Sequence, residues 1–350
     1  MPSRAAGDAD AQAAGAGDAT ALPLDVPEFW PDVAADLRQV TWAHAVNSRA
    51  DVDAAIQGDA MMLEADVSIA EDGTTPIMAH PPASSSDLTL QQFLDAVVGS
   101  GKRKGAKLDF KSTSAFEAAV PVVATAEAQR ELQFPLWLNA DVVAGPGGAA
   151  QPNVSAPRFL ALCAERFPGR TLSLGWTTGD AADRYTEQHV EAMQQALRDA
   201  NVTAQQPLTF AVRAAPAARS RDALLQLLQQ RPQATLTLWG AAHDQVDNQQ
   251  LLQLAQEAGF NRVYVDLPSP VPGLTPGTEA LTTTPAAPPA PAAPPAPRPG
   301  DPAAPADAPA LAPAPAPAAG GQSGAAGLAF SPLLALATLA VAVASALRRL

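Results

Sequence analysis

The chain has 350 residues, with 22 Lys and Arg against 35 Asp and Glu, a formal net charge of −13 and one cysteine. That balance leaves no basic surface able to neutralise a run of phosphates, which excludes nucleic acid as a partner. The lone Cys163 excludes an intramolecular disulfide framework.

Residues 1–25, rich in Ala, Gly and Asp, are predicted to be disordered, and no signal peptide is legible there because the apolar run of about 7 to 15 residues is missing. Residues 26–268 read as one globular domain. Eight short apolar runs punctuate it: Val40 to His44, Met62 to Asp66, Ala106 to Phe110, Leu136 to Ala140, Thr171 to Trp176, Thr209 to Val212, Thr235 to Trp239 and Arg262 to Asp266. Helical patterns separate them. Leu90, Phe93, Leu94, Val97 and Val98 form a stripe opened by a Thr89 and Gln92 capping box and closed at Gly99. Ser114 with Glu117 predicts a second capping box. Phe159, Leu160, Cys163 and Phe167 lie on one helix face, which carries the thiol into the core, and Gly259 closes a helix over Leu251 to Ala258. Strands alternating with helices predict an α/β fold, a single (β/α)₈ TIM-type barrel, with a doubly wound sheet as the alternative.

After the barrel, residues 269–327 are dominated by Ala and Pro and predict an extended, disordered stalk. Residues 328–347, LAFSPLLALATLAVAVASAL, are apolar and uncharged over the roughly 20 residues that a membrane-crossing helix needs. Arg348 and Arg349 favour a cytoplasmic C-terminus and hence an extracellular or lumenal barrel. Two alternatives stay open: a GPI signal preceded by the small residues Gly320 to Ala326, and a tail anchor with the barrel in the cytoplasm. The sequons Asn153-Val154-Ser155 and Asn201-Val202-Thr203 have meaning only for a lumenal barrel.

Strand parity locates the chemistry. Glu64 and Asp66 share one face of the second strand while Leu63, Ala65 and Val67 take the other, so the polar face looks into the barrel. The same rule turns Lys107, Asp109 and Lys111 inward, then Asn139 and Asp141, with Arg213 and Asp266 at the ends of later strands. Burying so much charge costs several kcal/mol per ion unless it is paired, which implies a metal, an anion or a satisfied network. Glu64 and Asp66, joined by Asp109, offer oxygen ligands to a divalent cation such as Mg²⁺ or Ca²⁺. The other reading of these carboxylates is a salt-bridge network with Lys107 or Lys111. His44 and His80 flank the cation site and are suited to exchange protons with the attacking and leaving oxygens of a phosphodiester, with Lys107 and Lys111 stabilising charge. Asn139, Arg213 and Trp239 are expected to bind substrate. Trp137 and Trp176 either line the mouth or pack in the core, whereas His189 and His243 are expected to be structural.

The motifs WAHAVNS (Trp42 to Ser48), LEADV (Leu63 to Val67), PIMAHPP (Pro76 to Pro82), KLDFKS (Lys107 to Ser112), WLNAD (Trp137 to Asp141) and GWTT (Gly175 to Thr178) resemble, in this order, those of the menorin family. The likeness continues through TFAVRA and LTLWG and covers the whole barrel. That family is similar to the glycerophosphodiester phosphodiesterase and phospholipase-C-like barrels, whose first-strand His, second-strand Glu-x-Asp and following His fall on His44, Glu64, Asp66 and His80. The resemblance implies metal-assisted phosphodiester cleavage, by way of a cyclic phosphate in some relatives. Two positions depart from the pattern: the usual His-Arg-Gly reads His44-Ala45-Val46, and Pro81 stands where an acid is expected after His80. Two functions are therefore carried forward: a membrane-tethered phosphodiesterase acting on glycerophosphodiester or lysophospholipid-like ligands, and an extracellular adhesion module that works through a cell-surface protein partner.

Overall fold

The computed structural model describes residues 25–147 and 150–278. Asp25 caps a short helix, α1 (Val26–Phe29), by accepting from Val26 N, and two 3-10 turns follow at Pro31–Val33 and Leu37–Gln39. The chain then runs β1 (Trp42–Ala43), α2 (Arg49–Gln57), β2 (Met62–Ile69), β3 (Pro76–Met78), α3 (Leu90–Gly99), β4 (Gly105–Phe110), α4 (Thr113–Ala128), β5 (Leu136–Ala144), α5 (Ala156–Arg166) and β6 (Thr171–Thr177). It ends with α6 (Glu187–Asp199), β7 (Leu208–Arg213), α7 (Ala214–Ala218), α8 (Arg221–Gln230), β8 (Thr235–Trp239), α9 (Asn248–Ala258) and β9 (Val263–Asp266).

Leaving β3 aside, each strand pairs in parallel with the next in chain order, from β1 through to β9. A doubly wound sheet would reverse its strand order at a switch point. None occurs here, so the eight parallel strands curl into a nearly closed α/β barrel with helices outside. Among the described residues no ladder joins β9 back to β1; side chains bridge that seam, with His44 Nδ1 3.0 Å from Asp266 Oδ2 and the Trp42 ring 6.4 Å from Tyr264. The short β3 returns antiparallel along β2, with Val67 opposite Met78. Its three residues carry too little alternation to be read from sequence, and the hairpin delivers His80 to the carboxyl end of β2.

Alternation on the strands separates two environments. Leu63, Ala65 and Val67 on β2 and Leu108 and Phe110 on β4 join the main core beneath the helices. The N-terminal end of the cylinder is sealed by Val26, Trp30, Val33, Leu37 and Val40, which pack on Met62, Trp137 and Tyr264. Trp137 is fully buried, its ring 5.3 Å from Trp42 and 4.8 Å from Tyr264, so it belongs to this lower core and not to the mouth. Trp176 is likewise core, packed on Tyr185 and Phe210. Cys163 is buried on α5 as its apolar face requires.

The helix caps show how local chemistry sets the boundaries. Thr89 and Gln92 form the expected capping box, although the helix continues through Gly99 to a C-cap at Ser100. Gly259, with φ +91°, ends α9 in a conformation that suits glycine. Ser114 and Glu117 do not cap α4. Ser112 does so, accepting from Ala115 N, because it stands outside the helix in extended conformation, while Glu117 pairs with Arg158 of α5.

Residues 269–278, assigned to the stalk from composition, pack on the barrel: Val271 and Leu274 are buried and Arg38 donates to the Gly273 carbonyl. The expectations for residues 1–24, for 279–327 and for the apolar segment 328–347 lie outside the described residues. Among the described residues no helix is long and apolar enough to cross a membrane. Truncating the central ring of the lower core tests the packing: Trp137→Ala should lower unfolding stability by about 3–5 kcal/mol in urea titration, whereas the exposed Lys102→Ala should change it by less than about 0.5 kcal/mol.

Candidate active site

The carboxyl ends of the barrel strands open into a cavity of about 620 Å³. His44, Glu64, Asp66, His80, Lys107, Asp109, Lys111, Asn139 and Trp239 all line it, so nine of the ten residues given a catalytic, metal-binding or substrate-binding role from sequence meet there, together with Asp141. Arg213 is the exception. It has inward parity on β7, but its guanidinium turns to Asp244, with Nη2 2.5 Å from Oδ1, and also reaches Asp180 and the Gly179 carbonyl. A buried arginine follows its carboxylate partner, and Asp244 from the loop after β8 supplies one that strand parity does not reveal. His243 stands 3.3 Å from the same guanidinium, and His189 accepts from Thr186 N at the start of α6.

Glu64, Asp66 and Asp109 bring carboxylate oxygens within 4.8 Å of one another, an arrangement that could hold a metal ion. Each is engaged by the protein. Glu64 Oε2 accepts from Ala45 N at 2.8 Å, Asp66 Oδ2 from Asn47 Nδ2 at 2.7 Å, and Asp109 Oδ1 from Asn139 Nδ2 at 2.6 Å. Lys111 Nζ lies between two of them, 2.6 Å from Asp66 and 2.5 Å from Asp109. The salt-bridge network is thus real for Lys111, while Lys107 stays nearby with its ammonium 5.8 Å from the Trp42 ring centre.

Burial raises the Glu64 carboxyl above its ordinary range despite Lys107 and His44 beside it. Burial pushes Asp109 the same way, but Lys111 and Lys107 outweigh it and hold that carboxyl low. Lys111 in turn is kept protonated well above the usual lysine range, because Asp109, Asp66 and Glu64 overcome its desolvation.

The histidines differ in their fixing. His44, at the end of β1, is half exposed; its hydrogen bond to Asp266, opposed by burial and aided by the Glu64 charge 3.6 Å away, raises it to about 9. His80 Nδ1 lies 2.7 Å from the Pro81 carbonyl oxygen. A carbonyl only accepts, so Nδ1 carries a proton, and in the neutral ring the lone pair falls on Nε2.

Three features of the site were not given a role from sequence. Asn47 clamps the Asp66 peptide as well as its carboxylate, since Asp66 N donates to Asn47 Oδ1 at 2.9 Å. Ala45 takes φ +56°, a left-handed conformation uncommon for a residue with a side chain, at the point where its N–H meets Glu64. Asp266 holds His44. Parity places Asp266 at the end of its strand but gives it no partner, and Asn47 leaves a weaker signal, a polar residue three positions after the first-strand histidine in WAHAVNS; Ala45 leaves none.

Burial, reinforced by the Asp109 charge, pushes the Asp141 carboxyl up to about 7. Because the raised group binds its proton more tightly folded than unfolded, it favours folding at low pH and that share is lost as the pH climbs through about 7. With cavity water screening a half-buried group, Asp141→Asn should flatten the fall in stability between about pH 5 and 8.5 by about 1–2 kcal/mol, measured by urea unfolding in chelator.

The sequence matches the family defined as the Menorin N-terminal domain over residues 36–272. Human Protein FAM151B is 37% identical over 240 residues, which span 68% of this chain and 85% of that protein. Among solved structures, the putative glycerophosphoryl diester phosphodiesterase from Silicibacter pomeroyi DSS-3 is similar with a TM-score of 0.43 at 13% identity, covering 71% of this chain and 98% of that one. L. pealei PLC21 is similar with a TM-score of 0.30 at 11% identity, covering 66% and 32%. With two thirds of its length matched to the family and to a close human relative, the chain belongs to the menorin family.

Proposed function

We propose that the barrel is a divalent-metal phosphodiesterase acting on glycerophosphodiester or lysophospholipid-like substrates. The observation that carries this is the convergence of three carboxylates, two lysines and two histidines on one cavity at the carboxyl end of the strands. The donor set fits a hard cation: all three ligands are carboxylates, and the Lys111 ammonium between Asp66 and Asp109 marks the spot where positive charge is stabilised. A Mg²⁺ or Ca²⁺ ion held by Glu64, Asp66 and Asp109 would supply charge stabilisation to the phosphate oxygens.

The remaining chemistry falls to the side chains. His80, with Nε2 free, takes the proton from the attacking oxygen, which belongs to water or to a neighbouring substrate hydroxyl that closes a cyclic phosphate. A new P–O bond forms as the bond to the alcohol breaks, and His44, held protonated by Asp266, returns a proton to the departing oxygen. Lys107 and Lys111 offset the charge that an arginine after the first histidine supplies in related barrels, where Ala45 stands here. The apolar segment 328–347 would tether the barrel to a membrane and display it on the extracellular or lumenal side.

A second reading is a binding module that acts through a protein partner, and the Lys111 ion pairs favour it, because they already satisfy two of the three carboxylates without a metal. Turnover decides between them. The purified full chain with Mg²⁺ or Ca²⁺ should hydrolyse glycerophosphodiesters, stop on adding EDTA, and lose at least about 100-fold in kcat in His44→Ala and in Glu64→Ala. Turnover unchanged by both substitutions would sink the assignment; absence of turnover with full partner binding by both variants would establish the second reading.

A further inference from the structure

The acids around the cavity are not equivalent. Glu64, Asp66 and Asp109 are each engaged by peptide N–H, amide or ammonium groups. Asp141, on β5, lines the same cavity, yet among the described residues no hydrogen bond or ion pair engages its carboxylate. Its neighbour across the sheet is Gly175, and a methyl group built there would lie 2.1 Å from Asp141 Oδ1. Glycine thus keeps open the place where the carboxylate rests. The β5–β6 register shifts immediately beyond this pair, a local irregularity of the kind that re-aims side chains beside functional sites. On the same strand Asn139, only 4% exposed, has a carbonyl oxygen with no partner among the described residues. This wall of the cavity offers acceptors that the protein leaves unanswered.

We infer that Asp141 is a specificity-determining residue that selects phosphodiesters whose alcohol portion carries a primary ammonium, an inference that rests on the phosphodiesterase reading for its diester but not for its ammonium. A half-buried carboxylate without a partner is costly, and a ligand cation that also donates hydrogen bonds removes the cost. A hydroxyl would donate one bond and leave the charge unanswered. A quaternary ammonium has no N–H and is held by aromatic faces, of which the cavity lining has one, Trp239. A primary ammonium, with three donors and a compact charge, matches what Asp141 presents.

The test compares glycerophosphoethanolamine with glycerophosphocholine as substrates of the full chain in Ca²⁺ or Mg²⁺. The ethanolamine diester should be preferred in kcat/KM by at least about tenfold, the size of one charged hydrogen bond. Asp141→Asn, which keeps shape and removes charge, should bring the ratio to within about threefold, chiefly through KM, and Gly175→Ala should do the same by displacing an intact carboxylate. A wild-type ratio near one, or a ratio preserved in Asp141→Asn, overturns the inference. If neither diester is turned over, the phosphodiesterase reading falls and calorimetric binding decides. Phosphoethanolamine bound at least about tenfold more tightly than phosphocholine, with the difference lost in Asp141→Asn, upholds the ammonium site, and equal binding removes it.

Discussion

Three carboxylates cannot share a space 4.8 Å across inside a barrel unless positive charge and directed hydrogen bonds hold them there. In this protein the holding is done by Lys111, whose ammonium bridges Asp66 and Asp109, with Asn47, Asn139 and the Ala45 peptide satisfying the outer lone pairs. These partners come from the residue just after β4, from β5 and from the loop after β1, so the network can form only when those segments are correctly placed around β2. The hydrophobic contacts beneath the helices make the barrel, and this electrostatic cluster specifies what its upper end looks like.

The backbone explains why so much of that cluster was legible. Sequence alternation in LEADV and KLDFKS maps directly onto two faces of a strand, so Glu64, Asp66, Lys107, Asp109 and Lys111 had only one side to occupy once Leu63, Ala65 and Leu108 took the other. All eight barrel strands lie where the apolar runs placed them, because a parallel strand covered on its outer face needs an uninterrupted backbone ladder and side chains able to pack under helices. What sequence did not disclose comes from loops and long-range pairing. The left-handed turn at Ala45 and the docking of Val271 and Leu274 have no periodic signature. Arg213 obeyed the parity rule in its backbone, and its side chain left the cavity for Asp244, a loop residue thirty-one positions away.

The seam between β9 and β1 ties architecture to chemistry. With β1 only two residues long, the ring closes through the His44–Asp266 hydrogen bond and the Trp42–Tyr264 contact. The same hydrogen bond fixes the orientation of a histidine that faces the cavity. A substitution at Asp266 therefore acts on the mouth of the barrel and on its imidazole together, and its effects on stability and on ligand handling would be linked.

The lower core of Trp30, Leu37, Trp137 and Tyr264 turns the cylinder into a blind well. Whatever enters from above must go out by the way it came. Arrival and departure are consequently competitors for one doorway, and a bulky or strongly held fragment left at the bottom would obstruct the next visitor. Throughput of such a vessel is governed as much by how readily its rim clears as by what happens at its floor.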